Sequence, residues 1–178
     1  TTAGTGAEVT RNSVLESLEH RVKVSMRSPL MLPRKAVVDP ELTLSLPPAL
    51  TASTGMDALT HAVEAYIGLS GTPFTDANAE RAVKLIFENL PRAVHKGKDL
   101  EARQRMAMAS HYAALAFTRA GVGYVHAISH QFGARYHTPH GLGNAIVLPY
   151  VLEYSKRSCT RRLAKLGDAA GLRQKGDR

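Results

Sequence analysis

Residues 49–68 read ALTASTGMDALTHAVEAYIG, and this stretch decides the fold class of the chain. Apolar residues recur at helical spacing from Met56 to Tyr66, which is the pattern of a buried helix face. Asp57 and His61 are four residues apart in the same stretch, so a helix carries both side chains on one face. A carboxylate and an imidazole on a buried helix are a common way to begin a metal site inside a helical bundle.

Helical periodicity continues after this stretch and predicts five more helices, without an internal repeat or a low-complexity linker. Thr75 is the predicted N-cap of the second helix, and Pro91 is expected to kink or end it. Before the first helix, residues 11–26 predict a strand or hairpin. Residues 34–42 predict a buried strand that closes in an Asp-Pro turn. The expected fold class is therefore mainly α, an incomplete helical bundle preceded by a short α/β remnant.

The composition is that of a soluble globular protein, with 44% apolar and 21% charged residues. A single cysteine, Cys159, excludes both a disulfide framework and a zinc site built on cysteine pairs, and it favours a cytoplasmic setting. No apolar run approaches the length needed to span a membrane. Eight basic and two acidic residues lie between Lys156 and Arg178, which assigns +6 of the net charge of +8 to this stretch. We expect a solvated helix face there and no nucleic-acid site.

Residues 125–141, VHAISHQFGARYHTPHG, contain half of the chain's histidines. They are His126, His130, His137 and His140. The first two share a helix face, and the last lies at the mouth of the next helix. Together with the carboxylate and imidazole of the first helix, they form a ligand set without thiolate that suits Fe²⁺ or Zn²⁺, and also Mn²⁺ or Ni²⁺. Spacing alone does not select the ligands among the four histidines.

The stretch TTAGTG, residues 1–6, is a second candidate site. Loops rich in glycine and threonine offer backbone N–H groups and hydroxyls to phosphate. This loop is neither a Walker loop nor a G-x-G-x-x-G fingerprint, so by itself it is a weak indication of nucleotide binding.

Three segments together resemble the iron-containing (group III) alcohol dehydrogenases, in the order and at the spacing of that family. They are TTAGTGAEVT (1–10), VVDPELTLSLPPALTASTGMDALTHAVEAY (37–66) and GVGYVHAISHQFGARYHTPHGLGNAIVLP (121–149). The resemblance runs across essentially the whole chain. It implies hydride transfer between an alcohol and NAD or NADP, to give an aldehyde or ketone, with a divalent metal as Lewis acid.

The resemblance also implies a role for individual residues. The metal ligands would be Asp57, His61, His126 and His140. The nucleotide contacts would be Thr1, Thr2, Thr10, Lys23 and Leu42. His130 would lie by the nicotinamide and the substrate, where we expect it to move the alcohol proton toward solvent. His137 matches no functional position of the family.

The family's Gly-Gly-Gly-Ser loop, which binds the pyrophosphate, is absent from this sequence. We therefore expect the chain to correspond to the middle of the family's proteins. We expect residues 1–46 to be the C-terminal remnant of a dinucleotide-binding α/β domain, and residues 47–178 to be a helical metal-binding domain truncated at its C-terminal end. Metal binding without turnover is expected of the chain alone.

Two alternatives stay open. One is a related reaction, that of a polyol dehydrogenase or a sugar-phosphate synthase, on the same scaffold. The other is a helical fragment that binds metal without activity, or a non-enzymatic module that uses the basic stretch. The expected partners are a small alcohol or aldehyde and further copies of the chain, without nucleic acid or membrane. Iron and zinc, and NAD and NADP, are equally compatible with the sequence.

Overall fold

The computed structural model describes residues 2–17, 19–20 and 22–172. Within them a β-hairpin precedes five α-helices, which confirms the mainly helical fold class. The elements are β1 (Asn12–Ser17), β2 (Val22–Arg27), α1 (Pro48–Ile67), α2 (Pro73–His95), α3 (Leu100–Ala120), α4 (Tyr124–Tyr136) and α5 (His140–Ala169), with 3-10 turns at Pro29–Met31 and Pro40–Thr43. No helix of the described residues is long and apolar enough to cross a lipid bilayer.

The central helix of the bundle is α1. It begins with Pro48 at its first position, where the missing N–H costs no hydrogen bond. It contacts α2, α3 and α5, and every residue from Asp57 to Tyr66 is buried as a result. Buried polar side chains need hydrogen-bonding partners: Thr60 binds the Met56 carbonyl of its own helix, whereas Asp57, His61 and Glu64 depend on other side chains.

The N-cap of α2 is Thr72, and the prediction of Thr75 is wrong by three residues. Thr75 lies at the third helical position and completes a capping box, because its hydroxyl accepts the N–H of Thr72 at 2.7 Å while its own N–H binds the Thr72 hydroxyl. Pro91 does not end α2, which continues to His95.

A short turn joins α4 to α5. His137 ends α4 in the left-handed region, with φ of 52°, and the described residues contain no other non-glycine residue with positive φ. Pro139 then precedes His140, the first residue of α5. The fifth and sixth predicted helices are both present: together they make up α5, and a kink at the non-helical Cys159 separates them.

Residues 34–42 do not form the predicted buried strand. Val37 is 91% exposed, and Asp39 instead caps the second 3-10 turn by accepting the N–H of Glu41 at 2.9 Å. A short apolar run forms a strand only beside another strand, and the hairpin is the one sheet in the described part of the chain.

The predicted hairpin is confirmed, and its two faces differ. The strands pair antiparallel, with Asn12 opposite Arg27 and Glu16 opposite Lys23. Side chains alternate between faces. One face turns toward the helices and consists of Asn12, Val14, Glu16, Lys23, Ser25 and Arg27. The other carries the exposed apolar residues Leu15, Val22, Val24 and Met26.

Candidate metal centre

Three helices bring four ligand-type side chains together around the carboxylate of Asp57. α1 supplies Asp57 and His61, α4 supplies His126, and His140 is the first residue of α5. The Asp57 Oδ1 atom lies 3.9 Å from Nε2 of His61, 3.6 Å from Nε2 of His126 and 3.4 Å from Nε2 of His140. The ligand atoms of the first three residues all lie within 4.8 Å of one another, and those side chains are buried.

These separations fit a shared cation better than direct hydrogen bonds. They exceed the roughly 2.7–3.2 Å of ordinary N–H···O bonds. Ligand atoms about 2.1 Å from a tetrahedrally coordinated metal lie about 3.4 Å from one another. One carboxylate oxygen with three imidazole nitrogens is also a donor set that suits Fe²⁺ or Zn²⁺. The four residues therefore fit a divalent metal, and their role as ligands stays a prediction.

Asn144 lies among the same ligand atoms, and the sequence analysis did not predict it as part of the site. It is fully buried, and its Nδ2 donates to Asp57 Oδ1 at 2.9 Å. The same nitrogen lies 3.3 Å from Nε2 of both His126 and His140. Because Asn144 follows His140 by four residues in α5, helical spacing was the signal that could have revealed it.

Glu64 is a second buried polar residue that the sequence reasoning missed. Its Oε2 atom lies 2.6 Å from Nδ1 of His126, and its Oε1 atom accepts the backbone N–H of Val125 at 2.6 Å. Burial acts to raise the pKa of Glu64, but the hydrogen bond and charge of His126, together with the backbone N–H groups of Gly123 and Val125, outweigh burial and lower that pKa. Glu64 is therefore ionised and can only accept hydrogen bonds. Its spacing of seven residues from Asp57 puts both carboxylates on one side of α1.

Burial and the neighbouring charges shift the pKa values of the cluster's residues in different directions. Burial would raise the pKa of Asp57, but the three surrounding histidines hold it well below its usual range. Burial lowers the pKa of His61 to about 4. Burial would also lower the pKa of His126, but Asp57 and Glu64 outweigh it and raise that pKa to about 9. The buried carboxylates therefore concentrate positive charge on one histidine in the absence of a metal.

His130 lies beside the cluster and not within it. Its ring centroid is 6.0 Å from that of His126 and 5.0 Å from that of His140. Burial, followed by the charges of the two neighbouring histidines, lowers the pKa of His130 to about 4. Its imidazole is therefore neutral at neutral pH.

A cavity of about 780 Å³ lies over the cluster. The four candidate ligands and His130 line the cavity, together with residues 117–122 and the face of the hairpin that turns toward the helices. Phe117 stacks on the ring of His61, with 4.2 Å between centroids. The volume lies in the range of small-molecule sites, roughly 300–1,000 Å³.

The predicted nucleotide contacts line two cavities. Thr10 and Lys23 line the large cavity, whereas Thr2 and Leu42 line a second cavity of about 310 Å³. Thr5 of the TTAGTG stretch and Ala7 just after it border both cavities. Thr1 lies outside the described residues. Contact of the other four with a nucleotide stays a prediction.

Two further histidines pair with carboxylates outside the cluster. Nδ1 of His111 lies 3.1 Å from Oε1 of Glu8, so the segment that follows the TTAGTG stretch is tied to α3. Nδ1 of His137 lies 3.5 Å from Oε1 of Glu16 on the hairpin, and the His137 ring is exposed. The structure therefore gives His137 a place in the turn between α4 and α5 but no place among the candidate ligands.

Two family sequence models match the chain. The model of the Fe-containing alcohol dehydrogenase family, C-terminal, matches residues 51–178, and that of iron-containing alcohol dehydrogenase matches residues 1–40. The chain belongs to the iron-containing alcohol dehydrogenase family. The resemblance inferred from the three segments is thereby confirmed.

Relatives within the iron-containing alcohol dehydrogenases are close. The chain is 48% identical to 1,3-propanediol dehydrogenase of Klebsiella pneumoniae, over 96% of its own length and 44% of that protein. A crystal structure of 1,3-propanediol oxidoreductase superposes with a TM-score of 0.95 at 48% identity, covering 99% of this chain and 46% of that one. The crystal structure of sulfoacetaldehyde reductase from Bifidobacterium kashiwanohense, in complex with NAD⁺, superposes with a TM-score of 0.83 at 36% identity. That match covers 97% of this chain and 51% of the reductase. The chain thus spans less than half the length of the curated relatives it matches.

We expect the metal-free form of this alcohol dehydrogenase family member to be most stable near pH 6.5. Between pH 4 and 6.5 the unfolded chain protonates His61 and the folded chain does not, so stability rises with pH. Between pH 6.5 and 9 the folded chain keeps the His126 proton that the unfolded chain loses, so stability falls. Thermal unfolding in EDTA across this range measures the effect.

His126→Gln is the control for this pH profile. It removes the group responsible for the falling arm and leaves His61 in place, so stability should no longer decline above pH 6.5. A wild-type melting temperature that rises steadily from pH 4 to pH 9 would contradict the assignment of the raised pKa to His126.

Proposed function

We propose that this chain carries the metal centre of a metal- and NAD(P)-dependent alcohol dehydrogenase, which interconverts an alcohol and an aldehyde or ketone. One observation carries the proposal: four ligand atoms converge at the floor of a 780 Å³ cavity whose wall holds a further, neutral histidine. Membership of the iron-containing alcohol dehydrogenase family supports the reaction class.

Asp57, His61, His126 and His140 would hold Fe²⁺, Zn²⁺ or another divalent cation. A bound cation would supply Lewis acidity toward an alcohol oxygen. Asp57 is the one anion in this ligand set, and it would offset half of the cation's charge at a position where Asp57, His61 and His126 are buried. Phe117 covers one face of the His61 ring and keeps water from that side of the site.

His130 would accept the alcohol proton. Its imidazole lines the cavity next to His140 and is only half-buried, so a proton accepted there has a path to solvent. A neutral imidazole also has a free nitrogen lone pair for that proton. Because His130 lies one turn beyond His126 on α4, it faces the cavity without joining the ligand atoms.

Residues 1–46 would belong to the nucleotide-binding part of the enzyme, and residues 47–178 to its metal-binding part. The separate family matches to 1–40 and 51–178 support this division. Thr2, Thr10, Lys23 and Leu42 would contact NAD or NADP. Their support is the pair of cavities that share Thr5 and Ala7 in their walls, one of which is also lined by the candidate metal ligands.

The substrate would be an alcohol or the matching aldehyde. The relatives named 1,3-propanediol dehydrogenase and long-chain-alcohol dehydrogenase, each 48% identical, support the alcohol class and include both short and long chains. Homo-oligomeric assembly, a cytoplasmic location and the absence of nucleic-acid binding stay predictions.

His130→Ala tests the proposed reaction. The measurement is metal-dependent NADH formation from a primary alcohol by the full-length enzyme that contains these residues. We expect kcat to fall by about 100-fold, since a general base contributes roughly that factor. The pH profile of kcat should change as well, because the titrating group is gone. The dissociation constant for Zn²⁺ should stay the same, since His130 is not a ligand.

His95→Ala is the matched control, since His95 is exposed at the end of α2 and distant from the cavity lining. An unchanged kcat and pH profile in His130→Ala would contradict the proton role of His130. Failure of the wild-type protein to bind Fe²⁺ or Zn²⁺ stoichiometrically would contradict the metal centre itself.

A further inference from the structure

Glu64 joins two helices at the edge of the candidate metal cluster. It lies in the last full turn of α1 and is 4% exposed. Both of its carboxylate oxygens accept hydrogen bonds from the start of α4, one from the Val125 N–H and one from the His126 ring. No side chain of α4 itself caps that helix, whose N-cap is Gly123. Glu64 therefore caps α4 from α1.

We infer that Glu64 is a positioning residue for the metal, because it fixes which nitrogen of His126 faces the cluster. One carboxylate oxygen of Glu64 accepts the Val125 N–H at 2.6 Å, and the other lies 2.6 Å from Nδ1 of His126, so Nδ1 is the donor of that pair. In the neutral ring Nε2 then holds the lone pair, and Nε2 is the atom that lies 3.6 Å from Asp57 Oδ1. This inference rests on the proposed metal centre.

The cap and the ring orientation depend on the same two oxygens. Because Val125 and His126 are consecutive, the carboxylate that binds the Val125 N–H also fixes the position of the His126 ring. Hydrogen bonds from ligand histidines to carboxylates are common, and they typically govern metal affinity by a factor of about 10–100. The His126 ring also stacks on the His61 ring at 4.5 Å, so a change in one ligand's orientation reaches the other.

Gly123 preserves the room that this carboxylate needs. A Cβ atom at position 123 would lie 2.9 Å from Oε1 of Glu64 and 3.4 Å from its Cδ. The contact involves the far end of the flexible Glu64 side chain. An alanine at position 123 can therefore be accommodated, but it would displace the Glu64 carboxylate. A substitution at Gly123 thus disturbs Glu64 without removing its charge.

Glu64→Gln separates the two hydrogen bonds while it preserves side-chain volume. A glutamine has one acceptor oxygen for two donors. If that oxygen accepts from Val125, its NH₂ group faces Nδ1, and the His126 proton moves to Nε2, where it blocks ligation. If the oxygen accepts from His126, the NH₂ group opposes the Val125 N–H. Either arrangement weakens the site, and the first removes a ligand.

The experiment measures the dissociation constant of Zn²⁺ by competition with a chromophoric chelator. We expect Glu64→Gln to weaken binding by about 10- to 100-fold. Nitrogen NMR of the imidazole rings in the Zn²⁺-saturated protein should show His126 protonated at Nδ1 in the wild type and a different state in the variant. A purely structural role for Glu64 would lower the melting temperature in EDTA but leave this tautomer unchanged.

Glu80→Gln is the matched control. Glu80 also accepts a hydrogen bond between helices, from the Tyr66 hydroxyl at 2.7 Å, but this contact lies away from the cluster. Its Zn²⁺ affinity should equal that of the wild type. If Glu64→Gln does not fold, Gly123→Ala replaces it, and we expect this variant to bind Zn²⁺ more weakly than the wild type. Its control is Gly167→Ala, because no atom lies near the methyl group added there.

The outcomes distinguish the inference from the proposed function. Wild-type Zn²⁺ affinity in Glu64→Gln, or in Gly123→Ala where the first variant does not fold, overturns the role of Glu64 and leaves the metal centre standing. A wild-type protein that binds neither Zn²⁺ nor Fe²⁺ overturns the metal centre, and the role of Glu64 with it.

Discussion

Asp57→Asn is expected to abolish tight metal binding. Asp57 provides the only negative charge among the four candidate ligands, and its Oδ1 atom is the common neighbour of three imidazole nitrogens. An asparagine has nearly the same shape but leaves a divalent charge without an anionic ligand in a buried site. Because loss of a residue that only orients a ligand costs about 10–100-fold, loss of this ligand should cost more than about 100-fold in the Zn²⁺ dissociation constant.

Asp76→Asn is the control for this substitution. Asp76 is also an acidic residue within the bundle, but it pairs with Arg162 at 2.6 Å and is not part of the cluster. Its loss should lower the melting temperature slightly and leave Zn²⁺ binding intact. Titration by calorimetry measures both proteins. Zn²⁺ binding by Asp57→Asn at the wild-type level would show that the cluster does not hold the metal.

Gly141→Ala is expected to destabilise the folded chain by about 3 kcal/mol. A Cβ atom at position 141 would overlap the backbone carbonyl of Ser53. The first turn of α5 therefore lies directly against α1, and neither backbone can yield locally, since both lie within helices. Thermal unfolding followed by circular dichroism should show a melting temperature lowered by about 6–12 °C, given roughly 2–4 °C per kcal/mol at this chain length.

The same substitution should also weaken the metal site, because Gly141 immediately follows the candidate ligand His140. Gly167→Ala is the matched control in the same helix, where no atom lies within contact distance of the added methyl group. That control should gain about 0.5–1 kcal/mol from helix propensity. Equal stability of the two variants would contradict the close approach of α5 to α1.

Helical spacing predicted the site where both partners lie on one element. Asp57 and His61 are four residues apart on α1, and the structure brings both into the cluster. For His126 and His130, the same rule predicted a shared face but not their different surroundings. Only the resemblance to the family separated the candidate ligand from the residue beside it. The reason is that a ligand is defined by what meets it from other helices, which spacing within one helix does not encode.

The residues that sequence reasoning missed act between elements. Glu64 is on α1, but its partners are at the start of α4. Asn144 is on α5, but its acceptor is Asp57 on α1. Each is at helical spacing from a candidate ligand, yet Glu and Asn at such positions are ordinary in exposed helices. Tertiary packing determines their role, as it also determines that Val37 remains exposed and outside any strand.

The hairpin separates two kinds of variation in this molecule. The candidate ligands all come from helices, whereas much of the cavity wall comes from every second residue of β1 and β2. Exchanges at Val14 or Ser25 therefore reshape the cavity without replacing a residue of a helix that carries a candidate ligand. In the proposed enzyme, the shape of the cavity and the geometry of the metal cluster can then be altered independently, because different elements supply them.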